Sequence, residues 1–259
     1  MNRIHQIMAT VAGTFAATGM LAVGAALPAG ASPAAPAAPA AAVRAAAPVQ
    51  AAAPAYSAPT RSLHVGMKGS DVKALQERLA ALKYYPGSAD GQFGTNTEEA
   101  VWAFQEVQGI GADGTVGSST GRALVNPSAY SARYSSQATR VEVNLSRRVL
   151  VLYRNHAVAL ISHVSAGGGY HYCDKSGCST AITPTGNYRT NGYAPGWITV
   201  PLGRMYNSVF FIGRAYAIHG DTYVPLAPVS HGCIRVPMDI AAFFHNMVSS
   251  YGTPVHVYW

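Results

Sequence analysis

The sequence predicts a small all-α unit of three helices, followed by a mainly-β, β-sandwich-like unit with one or two short helices. Three observations predict it. Between residues 60 and 127 apolar residues recur at helical spacing. From 139 to 259 they fall in short β-branched runs parted by Gly/Pro turns. The turn pattern Asp-Gly-x-(Phe/Val)-Gly occurs twice in the first region, at 90–94 and 113–117.

Ahead of both units, Arg3 opens an uncharged small-apolar run from Ile7 to Leu27, and Ala29-Gly30-Ala31 follows as a small-x-small site. This reads as a signal peptide over 1–31 that is cleaved, in preference to a retained anchor, because the run is rich in Ala, Gly and Thr. Residues 32–59 are alanine broken repeatedly by proline. Proline interrupts a helix and the segment lacks large apolar residues, so a disordered, semi-stiff tether is expected. No later segment is apolar enough to span a membrane. The chain carries +7; loss of Arg3 with the signal leaves +7 − 1 = +6. The charge is spread thinly, without a Lys/Arg block, so nucleic-acid binding is not expected. A mild positive charge suits an anionic cell envelope.

In the first unit Val72, Leu75, Leu79 and Leu82 share a helical face, and Ser70 or Asp71 is placed to cap it. A second helix starts at Thr95–Glu99, with Ala100, Val101, Phe104 and Val107 on one face. Ser118-Ser119-Thr120 opens a third, through Leu124. In the two repeated turns glycine supplies the backbone freedom, and Phe93 and Val116 plug the core. Residues 128–138 read as a polar linker. Strands are expected at Arg140–Leu145, Arg148–Tyr153 and Ala157–Ser165, with a turn at Arg154-Asn155-His156. Shorter ones follow at Gly186–Arg189, Trp197–Val200, Ser208–Ile212, Arg214–Ile218 and Val255–Tyr258. Met238–Ser250 reads as a helix, with Ile240, Phe243, Phe244 and Met247 on its apolar face.

The chain has three cysteines, an odd number, so at least one stays unpaired within it. Cys173 and Cys178 lie in a Gly-rich polar loop. Outside the cytosol a disulfide between them is preferred to a metal site with His171, because Cys-x4-Cys is wider than most zinc knuckles and lacks a second ligand pair. It would close a loop of only a few residues, contributing at most about 2 kcal/mol. That leaves Cys233, in Ser230-His231-Gly232-Cys233-Ile234-Arg235-Val236-Pro237. A lone cysteine is usually a buried structural thiol. Here Gly232 gives close backbone access, and His231 would share a face with Cys233 in an extended segment. His219 ends another apolar run, followed by Gly220. A free thiol has a pKa of about 8.5, so little is thiolate at neutral pH unless a histidine takes the proton. Cysteine plus histidine suits acyl transfer without a metal or cofactor.

Two resemblances sharpen these readings. The run GSDVKALQERL…DGQFGTNTEEAVWAFQ…DGTVGSST resembles the peptidoglycan-binding-like domain of bacterial cell-wall hydrolases, which implies that residues 60–127 hold wall glycan. Residues 139–259 resemble an L,D-transpeptidase catalytic domain of the YkuD type, through VEVNLSRRVLVLYRN, TPTGNYR, MYNSVFF, AIHG, SHGCIRVP and GTPVHVY. This implies a β-sandwich-like core, a cysteine acyl-enzyme, and peptidoglycan stem peptides as donor tetrapeptide and acceptor. Position by position, Cys233 matches the nucleophile and His219 the catalytic histidine. Ser230, His231 and Gly232 match the surrounding motif, and Arg235 closes it; Gly220 belongs to the upstream motif. The backbone N–H groups of Gly232 and Cys233 are candidate oxyanion donors. One departure stands out: the stretch from His219 to His231 is short for the family and carries Pro225 and Pro228.

Chain proximity favours His231 as the base, whereas the resemblance favours His219, which is preferred. His64, His156, His163, His245 and His256 read as structural, and His171 borders the disulfide loop without an assigned role. The expectation is therefore an exported, monomeric L,D-transpeptidase of the cell wall that forms 3→3 cross-links, with no metal and no cofactor. The alternatives are an L,D-carboxypeptidase, in which water is the acceptor, and a non-catalytic wall-binding protein. A metal hydrolase built on His219, His231 and Cys233 lacks a matching carboxylate pattern, although Asp221 is near.

Overall fold

A computed structural model describes residues 56–175 and 177–259. The signal peptide expected over 1–31, and the tether up to residue 55, lie outside the described residues. Three helices come first: α1 (Ser70–Ala81), α2 (Thr95–Gln108) and α3 (Ser118–Val125). Strands β1 (Arg140–Asn144), β2 (Val149–Arg154) and β3 (Ala157–His163) follow, then a hairpin of β4 (His171–Asp174) and β5 (Gly177–Thr180). Next are β6 (Gly186–Val200), β7 (Gly203–Ile212), β8 (Tyr216–Asp221) and β9 (Ile234–Pro237). Helix α4 (Met238–Met247) and β10 (Tyr251–Tyr258) complete the chain.

Val72, Leu75 and Leu79 of α1 are buried, as their spacing predicts. The cap expected of Ser70 or Asp71 is not made: Gly69 takes the N-cap position without a side-chain hydrogen bond. Asp71 instead meets Arg61, Oδ2 to Nε at 2.6 Å. The repeated turns have a common physical cause. Each wraps a fully buried glutamine amide. Gln76 Nε2 donates to Asp90 Oδ1 (3.1 Å) and Thr97 Oγ1 (3.1 Å), and its Oε1 accepts from Gly91 N–H (2.9 Å). Gln105 repeats the pattern with Asp113 (2.8 Å), Thr120 (3.1 Å) and Gly114 N–H (3.0 Å). A buried amide needs this complete set of partners.

The β-unit is built on one eight-stranded sheet in the order β3-β2-β1-β10-β6-β7-β8-β9. Two pairs are parallel, β1 with β10 and β8 with β9. The sheet curls until its edges meet just beyond β3: Ser165 N–H donates to Arg235 C=O (3.1 Å) and Arg235 N–H to Ser165 C=O (2.9 Å). The segments expected at 186–189 and 197–200 are halves of the single long strand β6, which continues through Pro195-Gly196 because the ladder with β7 shifts register there. Arg214 lies in the turn before β8 and not in the strand. Helix α4 ends at Met247, short of Ser250, because Val248 turns extended. The Gly-rich cysteine loop is a short hairpin, and the second half of the SHGCIRVP motif is itself a strand.

Alternation divides β2. Leu150 and Leu152 face the core inside the curled sheet, with Val141, Val209 and Phe244. Val149, Val151 and Tyr153 face the other way and join Ile161 in one cluster with Leu79, Phe104 and the other helical-unit apolar residues. The backbone joins in: Ile161 N–H donates to Lys83 C=O at 2.8 Å. The helical unit and the sheet thus share a core. Residues 128–138, expected as a linker, are also tied to both: Ser128 N–H donates to Gln108 Oε1 (2.9 Å) and Arg133 N–H to Glu142 Oε2 (2.9 Å). Burying side chains of this size contributes about 1.5–3 kcal/mol each. A chain beginning at residue 139 leaves Val149, Val151, Tyr153 and Ile161 uncovered. It should aggregate or unfold at markedly lower temperature than residues 56–259, which should melt in a single transition by calorimetry. Two separate transitions for residues 56–259 would show that the cores are independent.

Candidate active site

The parallel pairing of β8 with β9 assembles the site. Ile218 lies opposite Ile234 and His219 opposite Arg235. Cys233, one residue before β9, is thereby set beside Ala217. Alternation along each strand then puts Ala217 and His219, and Cys233 and Arg235, on one face. That face opens into a cleft of about 720 Å³ lined by His219, Cys233, Arg235, Ser230 and His231, with the tip of the β6–β7 hairpin (Val200 to Met205) on the opposite wall.

His219 is buried, and its Nδ1 lies 2.9 Å from Gly220 C=O. A carbonyl only accepts, so Nδ1 carries the proton and Nε2 presents its lone pair. Among the described residues, no hydrogen bond engages Nε2. Burial pushes His219 below the ordinary imidazole range, opposed by the Gly220 hydrogen bond and the Asp221 charge. Cys233 is half-buried, and its sulfur lies 3.8 Å from Met205 Sδ and 3.8 Å from Ala215 C=O. Burial pushes the thiol above its ordinary value, opposed by a backbone hydrogen bond at Ala217 and by the Arg235 charge. Both shifts favour the neutral forms at rest, a thiol and an imidazole.

The turn before Cys233 is held by side chains. Ser230 Oγ accepts from Gly232 N–H (2.9 Å) and donates to Cys233 C=O (2.6 Å). Thr183 Oγ1 donates to Gly232 C=O (2.7 Å) and accepts from Gly167 N–H (2.8 Å). Thr183 belongs to the TPTGNYR stretch, and sequence reasoning did not single it out. Its buried hydroxyl between two backbone strands is visible only once those strands are placed. The Gly232 N–H is engaged by Ser230 in this structure, which leaves Cys233 N–H as the candidate oxyanion donor. Gly232 has φ +144°, and a Cβ there would lie 2.6 Å from the Tyr216 ring and 2.7 Å from Ile182 C=O. Gly220 is needed for closeness: a Cβ would lie 2.7 Å from Ala241 Cβ of α4.

The positive φ at Gly232 breaks the extended alternation expected to align His231 with Cys233. His231 packs edge-on to Tyr172 (4.6 Å) and Tyr170 (5.6 Å) beside the β4–β5 hairpin. Cys173 and Cys178 sit opposite each other in that hairpin and are joined by a disulfide. Arg235 Nε meets Asp221 Oδ2 at 3.2 Å, flanking His219. His256 stacks on Tyr134 (3.9 Å) and His245 on Tyr193 (4.6 Å). His64, His156 and His171 are exposed.

Residues 138–257 match the family described as the L,D-transpeptidase catalytic domain, YkuD. Residues 68–124 match a peptidoglycan binding domain family. Among solved structures, the chain resembles an L,D-transpeptidase from Xylanimonas cellulosilytica, with 34% identity and a TM-score of 0.73, over 77% of this chain and 98% of that one. Among curated proteins, it is 45% identical over 56 residues to N-acetylmuramoyl-L-alanine amidase CwlM of Mycobacterium tuberculosis, covering 22% of this chain and 14% of that one. It is 38% identical over 74 residues to a spore cortex-lytic enzyme of Bacillus cereus, 29% of each. The chain therefore spans less than a third of the length of these curated relatives.

Two outcomes are expected. Because burial raises the Cys233 thiol, its alkylation by iodoacetamide, followed by mass spectrometry, should keep accelerating above the free-thiol pKa of about 8.5; a plateau already reached at pH 7 would mean a preformed ion pair. Gly232→Ala should cut the same alkylation rate at least about tenfold, because the turn must shift to relieve the contacts with Tyr216 and Ile182.

Proposed function

The chain belongs to the L,D-transpeptidase family, and from that premise we propose that it is an exported cysteine acyltransferase forming 3→3 cross-links in peptidoglycan. The observation that carries the reading is the pairing of β8 with β9. It sets Cys233 opposite Ala217, two residues along the register from His219, in a common cleft, with Gly220 C=O fixing the histidine tautomer. The arrangement has the logic of a nucleophile, a base and a group that orients the base.

In the first step Cys233 Sγ attacks the carbonyl that joins the L-centre of a diamino acid to the following D-residue in a donor tetrapeptide. His219 Nε2 takes the thiol proton. The Cys233 N–H faces the developing oxyanion. When the C–N bond breaks, the imidazolium returns the proton to the departing amine, leaving a thioester. In the second step an amine of an acceptor stem attacks the thioester carbonyl and gives its proton to His219. The sulfur leaves, is reprotonated, and the new amide is the cross-link. Neither step needs a metal or a cofactor. Ser230 and Thr183 keep the nucleophile turn in shape, and Arg235 with Asp221 sets the charge beside His219. His231 is a support residue on the cleft wall. The helical unit is read as a wall-glycan contact, and the signal peptide over 1–31 as the export route to the envelope.

Incubating the protein with disaccharide tetrapeptides and resolving the products by mass spectrometry tests the reading. Cross-linked dimers with release of the D-amino acid are expected, and Cys233→Ala should abolish them. Tripeptides alone would make it an L,D-carboxypeptidase. Neither product, together with no carbapenem adduct on Cys233, would leave a wall-binding protein without catalysis.

A further inference from the structure

His163 is buried at the end of β3, outside the cleft, and both its ring nitrogens have partners. Nδ1 lies 3.1 Å from Glu106 Oε2 of helix α2, and Nε2 lies 3.1 Å from Pro225 C=O. Glu106 is itself buried and pairs through Oε1 with Arg148 Nε at 2.7 Å. The Trp102 ring covers His163 from α2, edge-on at 5.5 Å. Pro225 belongs to the loop that leads from His219 to the nucleophile turn. A side chain of the helical unit thus reaches that loop through one imidazole.

The rest of the loop hangs from the same stretch of chain. Ser165 Oγ donates to Ala227 C=O (2.9 Å) and accepts from Val229 N–H (3.1 Å). Ser230 N–H donates to Ala166 C=O at 3.0 Å. Beyond Ser230 the turn is closed by the hydroxyl bridge to Gly232 and Cys233. The loop contains no helix or strand of its own, and these hydrogen bonds hold it, together with one from Tyr170 Oη–H to Val229 C=O (3.0 Å) and the buried Val224 side chain. His163 is the member of this set that a second unit holds in place: Glu106 on Nδ1, with the Trp102 ring packed beside it, orients the ring plane that aims Nε2–H at Pro225.

We propose that Glu106 and His163 form a positioning relay by which the helical unit sets the loop between His219 and Cys233, so that the helical unit is part of the catalytic apparatus. The relay rests on the cysteine acyl-transfer reading. His163 touches neither substrate nor nucleophile and acts through Pro225. A displacement of the loop moves Ser230, and with it the aim of the sulfur, which is enough to cost between about tenfold and a hundredfold in rate.

Two amide replacements separate the links. The amide nitrogen of His163→Asn stands near the Nδ1 position and retains the donor to Glu106, while its link to Pro225 is lost. That of His163→Gln stands near Nε2 and retains Pro225, while the link to Glu106 is lost. Glu106→Gln keeps the volume and removes the charge. In the full chain, each variant is followed by carbapenem acylation of Cys233 and by tetrapeptide turnover, with folding checked by circular dichroism. The relay requires all three folded variants to acylate at least about tenfold more slowly, with kcat reduced and KM within about twofold. His163→Gln at parental rates, or a loss confined to thermal stability, overturns it. Should the variants fail to fold, nitrogen NMR of the unmodified chain decides: a slowly exchanging His163 Nε2–H coupled to the Pro225 carbonyl is required, and a rapidly exchanging one overturns the relay. A parent chain that acylates alongside unaffected variants rejects only the relay, whereas a parent that does not acylate rejects the underlying function.

Discussion

Two backbone hydrogen bonds between Ser165 and Arg235 close the curled sheet, and the rest of the site depends on them. They bring the last strand of the sheet against the chain leaving the first edge. Without that closure, β9 would be an open edge with unpaired backbone groups beside the nucleophile. With it, Arg235 is held on both flanks, by Ser165 and by the register with His219. The turn before Cys233 then lies within reach of Ala166 and Gly167, which leave the opposite edge, and of the Thr183 hydroxyl from the chain entering β6.

Closure also decides what the helical unit does. A sheet that curls around its own core leaves the outer faces of β2 and β3 bare, yet Val149, Val151 and Ile161 are apolar there. The helical unit covers them, and the two cores become continuous at that point. Burial on both faces explains why Val149 to Tyr153 reads as an unbroken apolar run without polar alternation. Once that contact is made, Glu106 of α2 is buried against β3, where a carboxylate needs charged or donating partners. Arg148 and His163 supply them. The helical unit thereby contacts, through His163, the loop that leads from His219 to Cys233.

Legibility varied with the physics of each feature. Helical spacing over Val72, Leu75 and Leu79 was readable because one buried stripe is a local periodic property. So was the Cys173–Cys178 pair, since a short loop leaves its ends few other options. The ties of residues 128–138 were not readable, because the side chains that accept from the Ser128 and Arg133 N–H groups, Gln108 and Glu142, come from other segments. His163 looked structural because a lone histidine in a strand shows neither of the groups that meet its nitrogens. The β6 strand looked like two pieces because Pro195-Gly196 resembles a break, and only pairing with β7 reveals a register shift.

By itself the sequence determined the ingredients: one unpaired cysteine beside a glycine, histidines at the ends of apolar runs, and two units of different periodicity. These are matters of residue type and local spacing, and the chain carries them whatever its fold. Where each histidine stands relative to Cys233 is visible only in three dimensions. His231 is closer along the chain, but past the positive φ at Gly232 it packs against Tyr170 and Tyr172 on the cleft wall. His219 arrives through a parallel pairing across the loop, and its tautomer is fixed by a carbonyl. Strand pairing joins residues that sequence distance separates, so neither that alignment nor the contacts of His163 with Glu106 and Pro225 could be read before the sheet was closed.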